Sequence, residues 1–384
     1  MCIPSEMLNP KKSPAQEKPR ARTACFKTSD ESFWKMRQGW QNLALVGSPP
    51  NIFRTFEFCW TWWKHIGSRD PAYSLSIIAV QQRNTIVAIA PLVLRTGKRK
   101  GLTQRRLEFL GGEEWSDYHD FLLGQDAEQN LHAILSFLAR EKKNWDVLQV
   151  ENLWAEGQLA RSLQTAAPEV GIHWHQFRAD ICYFLPIDSD FKTWLSRRSP
   201  SSRKTFNTKL NRLRTLEQEG LKTTVTQAPH DLPHLAKRMA DLEAQKSERG
   251  FNLVIGRAES FFDELFQTLG PPGWIYVATA ERDGCLIAYQ LGFCCGDRLW
   301  DYAMAHHPDY AYYSPGLLLI SQILQYGFEN GFREYDFLRG DEAYKRRWTE
   351  SFRENTSLLF RSFTLTSRLF FRYHSQARRK AGRD

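Results

Sequence analysis

The stretch YDFLRGDEAYKRRWTE, positions 335–350, joins an apolar strand-like run to a dense group of ionisable residues. Asp341 supplies a carboxylate that can accept a proton, Tyr344 a phenol that can donate one, and Lys345 a positive charge that can neutralise an anion. A helical turn beginning at Asp341 would bring Asp341 and Lys345 to one face, and Tyr344 and Trp348 to another. The stretch is therefore either a salt-bridged corner or a site that uses its charges.

Asp336 lies in the middle of the apolar run, where an unpaired carboxylate is costly to bury. Arg339 follows closely in the sequence and is the expected partner of Asp336. Carboxylates with perturbed pKa values are frequent in functional sites. We expect Asp336 and Arg339 to be part of the salt-bridged corner or of the site, whichever of the two forms.

The segment HHPDYAYYSPGLLL, positions 306–319, carries the signals of a helix that starts shortly after a strand. Ser314 suits the N-cap, Pro315 suits the first helical position, and Gly316 lets a ligand approach the backbone closely. The free N–H groups at such a helix start suit a phosphate or pyrophosphate. His306 is either a base near neutral pH or a surface loop residue.

The stretch at 335–350 and the helix start near Ser314 both lie in the second of two similar halves of the sequence. LSIIAV and IVAIAPLVL flank a polar turn at 82–85, and WIYVATA and CLIAYQLGF flank another at 282–284, so each pair predicts a β-hairpin. An apolar helix and a strand follow each hairpin, ending in WDVLQVENL in the first half and YDFLRG in the second. This shared order predicts an internal duplication. The first copy lacks the Arg-Gly-Asp and Tyr-Lys residues, so we expect the second half to be the active one.

Between the halves, RRSPSSRKTFNTKLNRLRTLEQEG, positions 197–220, predicts a basic helix that begins near Ser201. Such a charge run is either a solvated helix or a clamp for a phosphate-bearing substrate.

Composition is that of a globular protein of two domains, with 384 residues, 42% hydrophobic residues and a net charge of +9. Residues 1–22 hold five Lys/Arg against two Glu, and residues 361–384 hold seven against one Asp, so the excess charge lies in the tails. A neutral body with basic ends is not the charge pattern of a nucleic-acid-binding domain, which needs clustered positive charge on a folded face. Seven scattered cysteines predict reduced thiols and no metal site. Since no apolar run is long enough to span a bilayer, we expect a cytoplasmic protein.

The motifs YYSPGLLL and YDFLRGDEAYKRRW together resemble the signature of the acetyltransferase-like domain of bacterial cellulose and exopolysaccharide biosynthesis proteins. That group belongs to the GNAT superfamily and is related to the Fem-type peptidyltransferases. FEFCWTWWKHI, IVAIAPLVL and LEFLGGEEWSDYHDFLL are similar to segments of the same family, and the resemblance covers roughly positions 50–350. It implies an α/β (α+β) protein of tandem GNAT-like folds, each a mixed central sheet flanked by helices.

The resemblance also implies roles for individual residues. The acyl donor would bind at Tyr313, Ser314, Pro315, Gly316 and Leu317; Asp336, Asp341, Tyr344, Lys345 and His306 would be catalytic; Arg339, Trp348 and Tyr302 would contact the substrate. The Tyr344 and Lys345 pair is similar to the aromatic-lysine pair of Fem-type enzymes. The Arg/Gln-x-x-Gly-x-Gly loop of ordinary GNAT proteins is missing from the sequence, so acetyl-CoA, another acyl-CoA and aminoacyl-tRNA stay open as donors.

We therefore expect an acyltransferase that moves an acetyl or other acyl group from acyl-CoA, without a metal, to an amine or hydroxyl. The acceptor would be a small or sugar-linked molecule of cell-surface polysaccharide or envelope metabolism. The alternatives are Fem-like aminoacyl transfer from tRNA and a non-catalytic accessory protein of polysaccharide synthesis.

The predicted organisation is a disordered arm at 1–28, GNAT-like domains at 29–185 and 186–365 with the motif in the second, and a basic tail at 366–384. In this tail Leu369, Phe370 and Tyr373 would share one side of a short helix. That helix is either a contact with a membrane surface or the bare end of the core.

Overall fold

A computed structural model describes residues 22–44, 50–99, 101–227, 235–245 and 257–362, together with 364, 367, 368 and 371. The elements of the first half are β1 (Thr23–Lys27), α1 (Asp30–Lys35), α2 (Arg37–Ala44), α3 (Phe56–His65), β2 (Tyr73–Leu75), β3 (Ile77–Gln82), β4 (Thr85–Ala90), β5 (Leu92–Arg99), β6 (Leu102–Phe109), α4 (Gly112–Trp115), β7 (Leu122–Leu123), α5 (Ala127–Arg140), β8 (Val147–Leu153), α6 (Leu159–Glu169) and β9 (His173–Pro186).

The elements of the second half are α7 (Phe191–Ser196), α8 (Pro200–Gln218), β10 (Lys222–Gln227), α9 (Leu235–Ala244), α10 (Arg257–Leu269), β11 (Ile275–Arg282), β12 (Cys285–Cys295), β13 (Arg298–His306), α11 (Pro315–Glu329), β14 (Glu334–Arg339) and β15 (Phe352–Arg361). Short 3-10 turns occur at 52–54, 67–69, 308–313 and 345–347.

The strands form two sheets. One has the order β1-β3-β4-β7, and the other has the order β10-β11-β12-β13-β14-β9-β15-β8-β6-β5-β2. The pairs β13/β14 and β6/β8 are parallel, whereas their neighbours in the sheets pair antiparallel. Mixed sheets flanked by helices confirm the predicted α/β class.

The predicted duplication is visible in the hairpins. β3 pairs with β4 and β11 pairs with β12 in the same register, with a bulge after Val80 in one and after Ala280 in the other. Both turn residues have positive φ in each hairpin, at Arg83 and Asn84 and again at Asp283 and Gly284. Two-residue turns of this conformation match the twist of the strands that they connect. The two hairpins therefore match at an offset of two hundred positions, including the position of the bulge.

The helix that follows each hairpin also starts in the same way. Asp126 precedes α5 with φ 60°, and Ser314 precedes α11 with φ 56°, both in the left-handed region. Ser314 lies at the N-cap of α11, as predicted, but its left-handed backbone leaves the side chain without a capping hydrogen bond. The first N–H groups of α11 therefore have no side-chain cap from Ser314.

The two halves are interlocked by their last strands. β9, at the end of the first half, pairs with β14 of the second, and β15 pairs with both β9 and β8. A shared core adds to this: Phe53 stacks on Trp300, with ring centroids 5.5 Å apart, and Phe58 packs edge-on against Phe261 at 5.8 Å. The predicted boundary at 185/186 therefore does not separate two independent sheets.

The structure near the N-terminus corrects the prediction of a disordered arm at residues 1–28. Residues 23–27 of the predicted disordered arm form β1, because they complete an antiparallel edge beside β3. The rest of the arm up to residue 21, and Leu369, Phe370 and Tyr373 of the predicted tail helix, lie outside the described residues. Among the helices of the described residues, none has the length and apolar character needed to cross a bilayer.

Candidate active site

A gap between two parallel strands forms the candidate site. β13 and β14 pair only from Arg298 with Glu334 to Trp300 with Asp336. Beyond that point β14 continues beside β9 and shifts its register before Arg339, with Leu338 at φ 55°. Residues 301–304 and 337–340 thus separate and line a cleft of about 610 Å³. A cleft where neighbouring strands part is a frequent ligand position in α/β proteins.

The third wall of the cleft comes from the other half of the molecule. Residues 113–117, which comprise the last three residues of α4 and the turn after it, line the cleft together with the strand ends. Tyr118 anchors this wall, because its buried hydroxyl lies 2.8 Å from both carboxylate oxygens of Asp336. The sequence assigned no site residue to this segment, although its motif WSDYHDF contributed to the family resemblance.

Asp301 is the buried acid of the cleft. Its side chain is 6% exposed, and its Oδ2 atom has no hydrogen-bond partner. Burial raises the pKa of Asp301 to about 6, while hydrogen bonding from Gln290 and the charge of Lys345 oppose the rise. A carboxylate with a free oxygen and a pKa near neutrality is suited to take a proton from a bound molecule. Sequence analysis missed it.

Tyr344 and Lys345 both line this cleft, as the motif implied. Burial, followed by the nearby charge of Asp301, raises the pKa of Tyr344, so this phenol keeps its proton. Lys345 is 3% exposed, and its Nζ atom donates to the carbonyl of Arg339 at 2.7 Å and lies 2.8 Å from Glu342. Lys345 therefore also fixes the end of β14.

The predicted helical turn from Asp341 was wrong. The turn covers only 345–347 and is of the 3-10 type, so Asp341 pairs with Arg346 at 3.1 Å instead of Lys345. Asp341 also accepts a hydrogen bond from Tyr183 at 2.9 Å and does not line the cleft.

The predicted pairing of Asp336 with Arg339 was also wrong. Arg353 of β15 contacts Asp336 at 2.7 Å, and Arg339 instead contacts Glu113 at 2.9 Å and Asp117 at 3.3 Å. Asp336 is fully buried, and this burial raises its pKa to about 7. Asp336 therefore joins the two halves and does not line the cleft, whereas Arg339 does.

The start of α11 adjoins the cleft through one close contact. A Cβ atom on Gly316 would lie 2.6 Å from Cε of Met304, and Met304 lines the cleft. Glycine at this position therefore keeps the helix start close to β13. Tyr313, Ser314, Pro315 and Leu317 share this helix start but are not among the lining residues.

A cluster of cations from α8 lies beside the same helix start. The guanidinium of Arg212 stacks over the ring of Tyr312 at 4.1 Å. Burial lowers the pKa of Lys209, and the charges of Arg347 and Arg212 lower it further, so the three cations are close together. No carboxylate of the described residues forms an ion pair with any of them. This cluster of cations favours the interpretation of α8 as a phosphate clamp over that of a solvated helix.

Three other predicted residues have different surroundings. Tyr302 lines the cleft and donates its hydroxyl to the carbonyl of Trp115 at 2.7 Å. Trp348 is buried and stacks on Trp194 at 5.1 Å, away from the cleft, because the 3-10 turn directs it into the core. His306 lies at the end of β13 and is not among the lining residues.

Comparison with known protein families gives one match. Residues 200–346 match the model of the "Acetyltransferase (GNAT) domain" family. No curated protein matches the chain. The cellulose-biosynthesis group that the motifs suggested is not confirmed by this match.

Solved structures with a similar fold cover nearly the whole chain. The structure of FemX is 12% identical, with a TM-score of 0.59 over 88% of this chain and 98% of that chain. A conserved protein of unknown function from Bacteroides thetaiotaomicron is 10% identical, with a TM-score of 0.51 over 88% of this chain and 100% of that chain. The fold is thus shared across both halves, and the predicted tandem GNAT-like architecture is confirmed.

Proposed function

We propose that this protein transfers an acyl group from an acyl-CoA thioester to an amine or hydroxyl acceptor in the cleft between β13 and β14. One observation carries the proposal: a buried carboxylate with a free oxygen, Asp301, lies where these strands part within a GNAT-type domain. The carboxylate provides the proton acceptor, and the cleft provides space for two reactants beside it.

The donor would be held by its phosphates. The start of α11 has no side-chain cap from Ser314, so the N–H of Gly316 could donate to a phosphate oxygen. Lys209, Arg212 and Arg347 add positive charge beside this helix start. These residues fit a pyrophosphate group and an additional phosphate, and the bound donor would supply the reactive thioester.

Proton transfer would use Asp301 and Tyr344. Asp301 takes a proton from the acceptor, in place of the expected Asp336, Asp341 and His306, because it lines the cleft and its buried Oδ2 atom has no hydrogen-bond partner. Tyr344 keeps its proton at neutral pH and would give it to the leaving sulfur. Lys345 is committed to the carbonyl of Arg339 and to Glu342, so its main contribution is to position β14 and Tyr344.

Donor binding and turnover test the proposal separately. Acetyl-CoA, longer acyl-CoAs and free CoA are compared by thermal shift; a donor at a hundred times its Kd should stabilise the fold by about 2.7 kcal/mol. The variant Asp301→Asn should keep this shift but lose transfer by roughly 10²- to 10⁴-fold.

The matched control is Asp283→Asn, on an exposed hairpin turn whose left-handed backbone suits asparagine. This control should keep full turnover. If Asp301→Asn kept full turnover, or no acyl-CoA shifted the melting temperature, the proposed function would be wrong.

A second candidate function is aminoacyl transfer from tRNA, and the cation cluster on α8 favours it. Lys209 and Arg212 have no carboxylate partner among the described residues, so this helix could contact a longer phosphate backbone. Binding of RNA would weaken steeply with salt, roughly as the number of phosphates contacted. RNA binding that is strongly salt-dependent, combined with no response to acyl-CoA, would favour this function.

The biological setting stays a prediction. A sugar-linked acceptor in surface polysaccharide metabolism, a cytoplasmic location and contact of the basic tail with a membrane all derive from sequence alone. An accessory protein without activity is distinguished by the same assay, because it would bind no donor and show no turnover.

A further inference from the structure

The cleft between β13 and β14 is strongly acidic. The carboxylates among its lining residues are those of Glu113, Glu114, Asp117, Asp180, Glu243, Asp301 and Glu342. Glu114 and Glu342 are exposed, whereas Glu243 and Asp301 are buried. The cations among its lining residues are Arg339 and Lys345. Carboxylates held this close repel one another, so a cation that joins them is favoured.

Ion pairs balance only part of this charge. Arg339 contacts Glu113 and Asp117, and Arg178, which is not a lining residue, contacts Glu113 at 2.5 Å and Asp180 at 2.8 Å. Lys345 contacts Glu342. Within the described part of the chain, Glu114 and Asp301 form no ion pair, although both line the cleft.

These two carboxylates differ in depth. Glu114 is exposed on α4, whereas Asp301 is 6% exposed, lines the cleft and has a buried Oδ2 atom without a hydrogen-bond partner. A buried acceptor oxygen without a donor is rare unless a ligand supplies the donor. A bound cation would satisfy Asp301, and a second positive group would be needed to satisfy Glu114.

We infer that the acceptor is a dicationic amine, of which one ammonium group meets Asp301 and is acylated while the other meets Glu114 and keeps its charge. The inference rests on the proposed function, because Asp301 is the proton acceptor there. A cleft of about 610 Å³ is within the size range of small-molecule sites, so a short aliphatic diamine fits its dimensions.

A divalent metal ion fits these carboxylates less well than separate ammonium groups do. Among the described residues, no group of three or more His, Cys, Asp or Glu side chains is placed to hold a metal ion. Ca²⁺ and Mg²⁺ need six or more oxygen ligands around one point. Acids that range from exposed to buried along the cleft match positive charges spread along a chain.

The transfer step balances with such an acceptor. The ammonium group gives one proton to Asp301, and the resulting amine nitrogen forms a bond to the acyl carbon as the carbon–sulfur bond breaks. That nitrogen loses a second proton, and the leaving sulfur gains one through Tyr344. The products are an amide, a free thiol and a protonated Asp301, which releases its proton to solvent. The second ammonium group is unchanged.

Calorimetric titration of the full-length protein tests this inference without turnover. Butylamine is compared with 1,4-diaminobutane, and hexylamine with 1,6-diaminohexane, so that each pair differs in one charge. At least one diamine should bind about ten-fold or more tightly than its monoamine. Glu114→Gln should abolish the difference within the pair, and Asp301→Asn should weaken the binding of both amines.

The control variant is Glu128→Gln, an exposed carboxylate on α5 away from the cleft, which should keep the diamine preference. Equal binding within both pairs, or a preference that survives Glu114→Gln, would overturn the inference. Tighter binding of Mg²⁺ alone, with displacement of the diamine, would also overturn it in favour of a metal site.

A parallel titration with acetyl-CoA separates this inference from the proposed function. Donor binding without diamine preference means that the acyltransferase proposal stands and the dicationic acceptor is wrong. Diamine preference without binding of any acyl-CoA means that the acidic site is real and the acyl-CoA proposal is wrong.

Discussion

The two halves of this molecule share their hairpin, helix and strand, yet within the described residues they differ at the position where β13 and β14 of the second half part to form a cleft. In the first half, β6 lies parallel beside β8, and His119 forms a bridge with Leu153. The ring of His119 stacks on Phe109, with centroids 4.5 Å apart. The corresponding space next to β8 is thus occupied by the chain itself.

The two halves also differ in the hydrogen bonding of the polar side chain at this position. Burial lowers the pKa of His119 to about 4, and both of its ring nitrogens have partners, namely Ser116 and the carbonyl of Glu151. In the second half, Asp301 keeps a free oxygen. One repeat has become a packed wall that contributes residues 113–117 to the cleft of the other. A duplicated fold can therefore form one site from both copies.

The largest difference in stability between the two halves should appear when an arginine that pairs with a buried aspartate is replaced. Asp336 of the second half depends on Arg353, which is 10% exposed, and Asp146 of the first half depends on Arg105, which is 34% exposed. Arg353→Met should lower the free energy of unfolding by about 3–5 kcal/mol, because it leaves a buried charge unpaired. Arg105→Met should cost about 1–2 kcal/mol, since water reaches this pair and Thr364 also donates to Asp146.

Urea unfolding measures both variants. Equal losses would show that the two aspartates are held in equivalent ways, contrary to the structure.

A second comparison is between Asp301→Asn and Asp146→Asn. The two substitutions should change the free energy of unfolding in opposite directions. The folded pKa of Asp301 is raised from 3.8 to about 6, so the ionised form is disfavoured by folding. The ionised Asp301 therefore lowers the free energy of unfolding. This loss is complete above pH 6, shrinks as the pH falls from 6 to 4, and is absent below pH 4. At pH 7.5, Asp301→Asn should raise the free energy of unfolding by about 1–3 kcal/mol, and at pH 4 the gain should vanish.

Asp146→Asn should instead destabilise the protein at pH 7.5 by about 1–3 kcal/mol, because Asp146 is paired with Arg105. Thermal melts at the two pH values measure both effects. A gain from Asp301→Asn that persists at pH 4 would mean that its charge is not the cause.

The smallest effect is expected at the helix starts. Gly316→Ala should change stability by less than about 1 kcal/mol, since alanine favours the helix while its Cβ displaces only the flexible end of Met304. The displaced side chain would narrow the cleft, so the Kd for acetyl-CoA should rise a few-fold. Ala127→Gly at the start of α5 should leave that Kd unchanged, and calorimetry compares the two.

Much of the fold could be predicted because local signals decide it. The polar turns fixed both hairpins, and apolar periodicity with Pro315 and Gly316 located α11. The interlocking of β9 and β15 could not be predicted, because strand order in a sheet depends on contacts between residues far apart in the chain.

The site was predicted only in part for a similar reason. Arg339, Tyr344, Lys345 and Tyr302 line the cleft, whereas Asp336 is buried outside it and pairs with Arg353. The same reasoning that selected Asp336, a carboxylate within an apolar strand, would have selected Asp301 in RLWDYAM. Residues 113–117 gave no local signal, because their partners lie more than two hundred positions away, as for Tyr118 and Asp336.

The position of β15 has a consequence for synthesis on the ribosome. This strand fills the place between β8 and β9, so the sheet of the first half is incomplete until residues 352–361 have emerged. At typical elongation rates, β9 would wait roughly 10–30 s for its partner. During this interval the facing edges of β8 and β9 are open to strands of other chains. The nascent protein should therefore depend on chaperones until its last strand arrives.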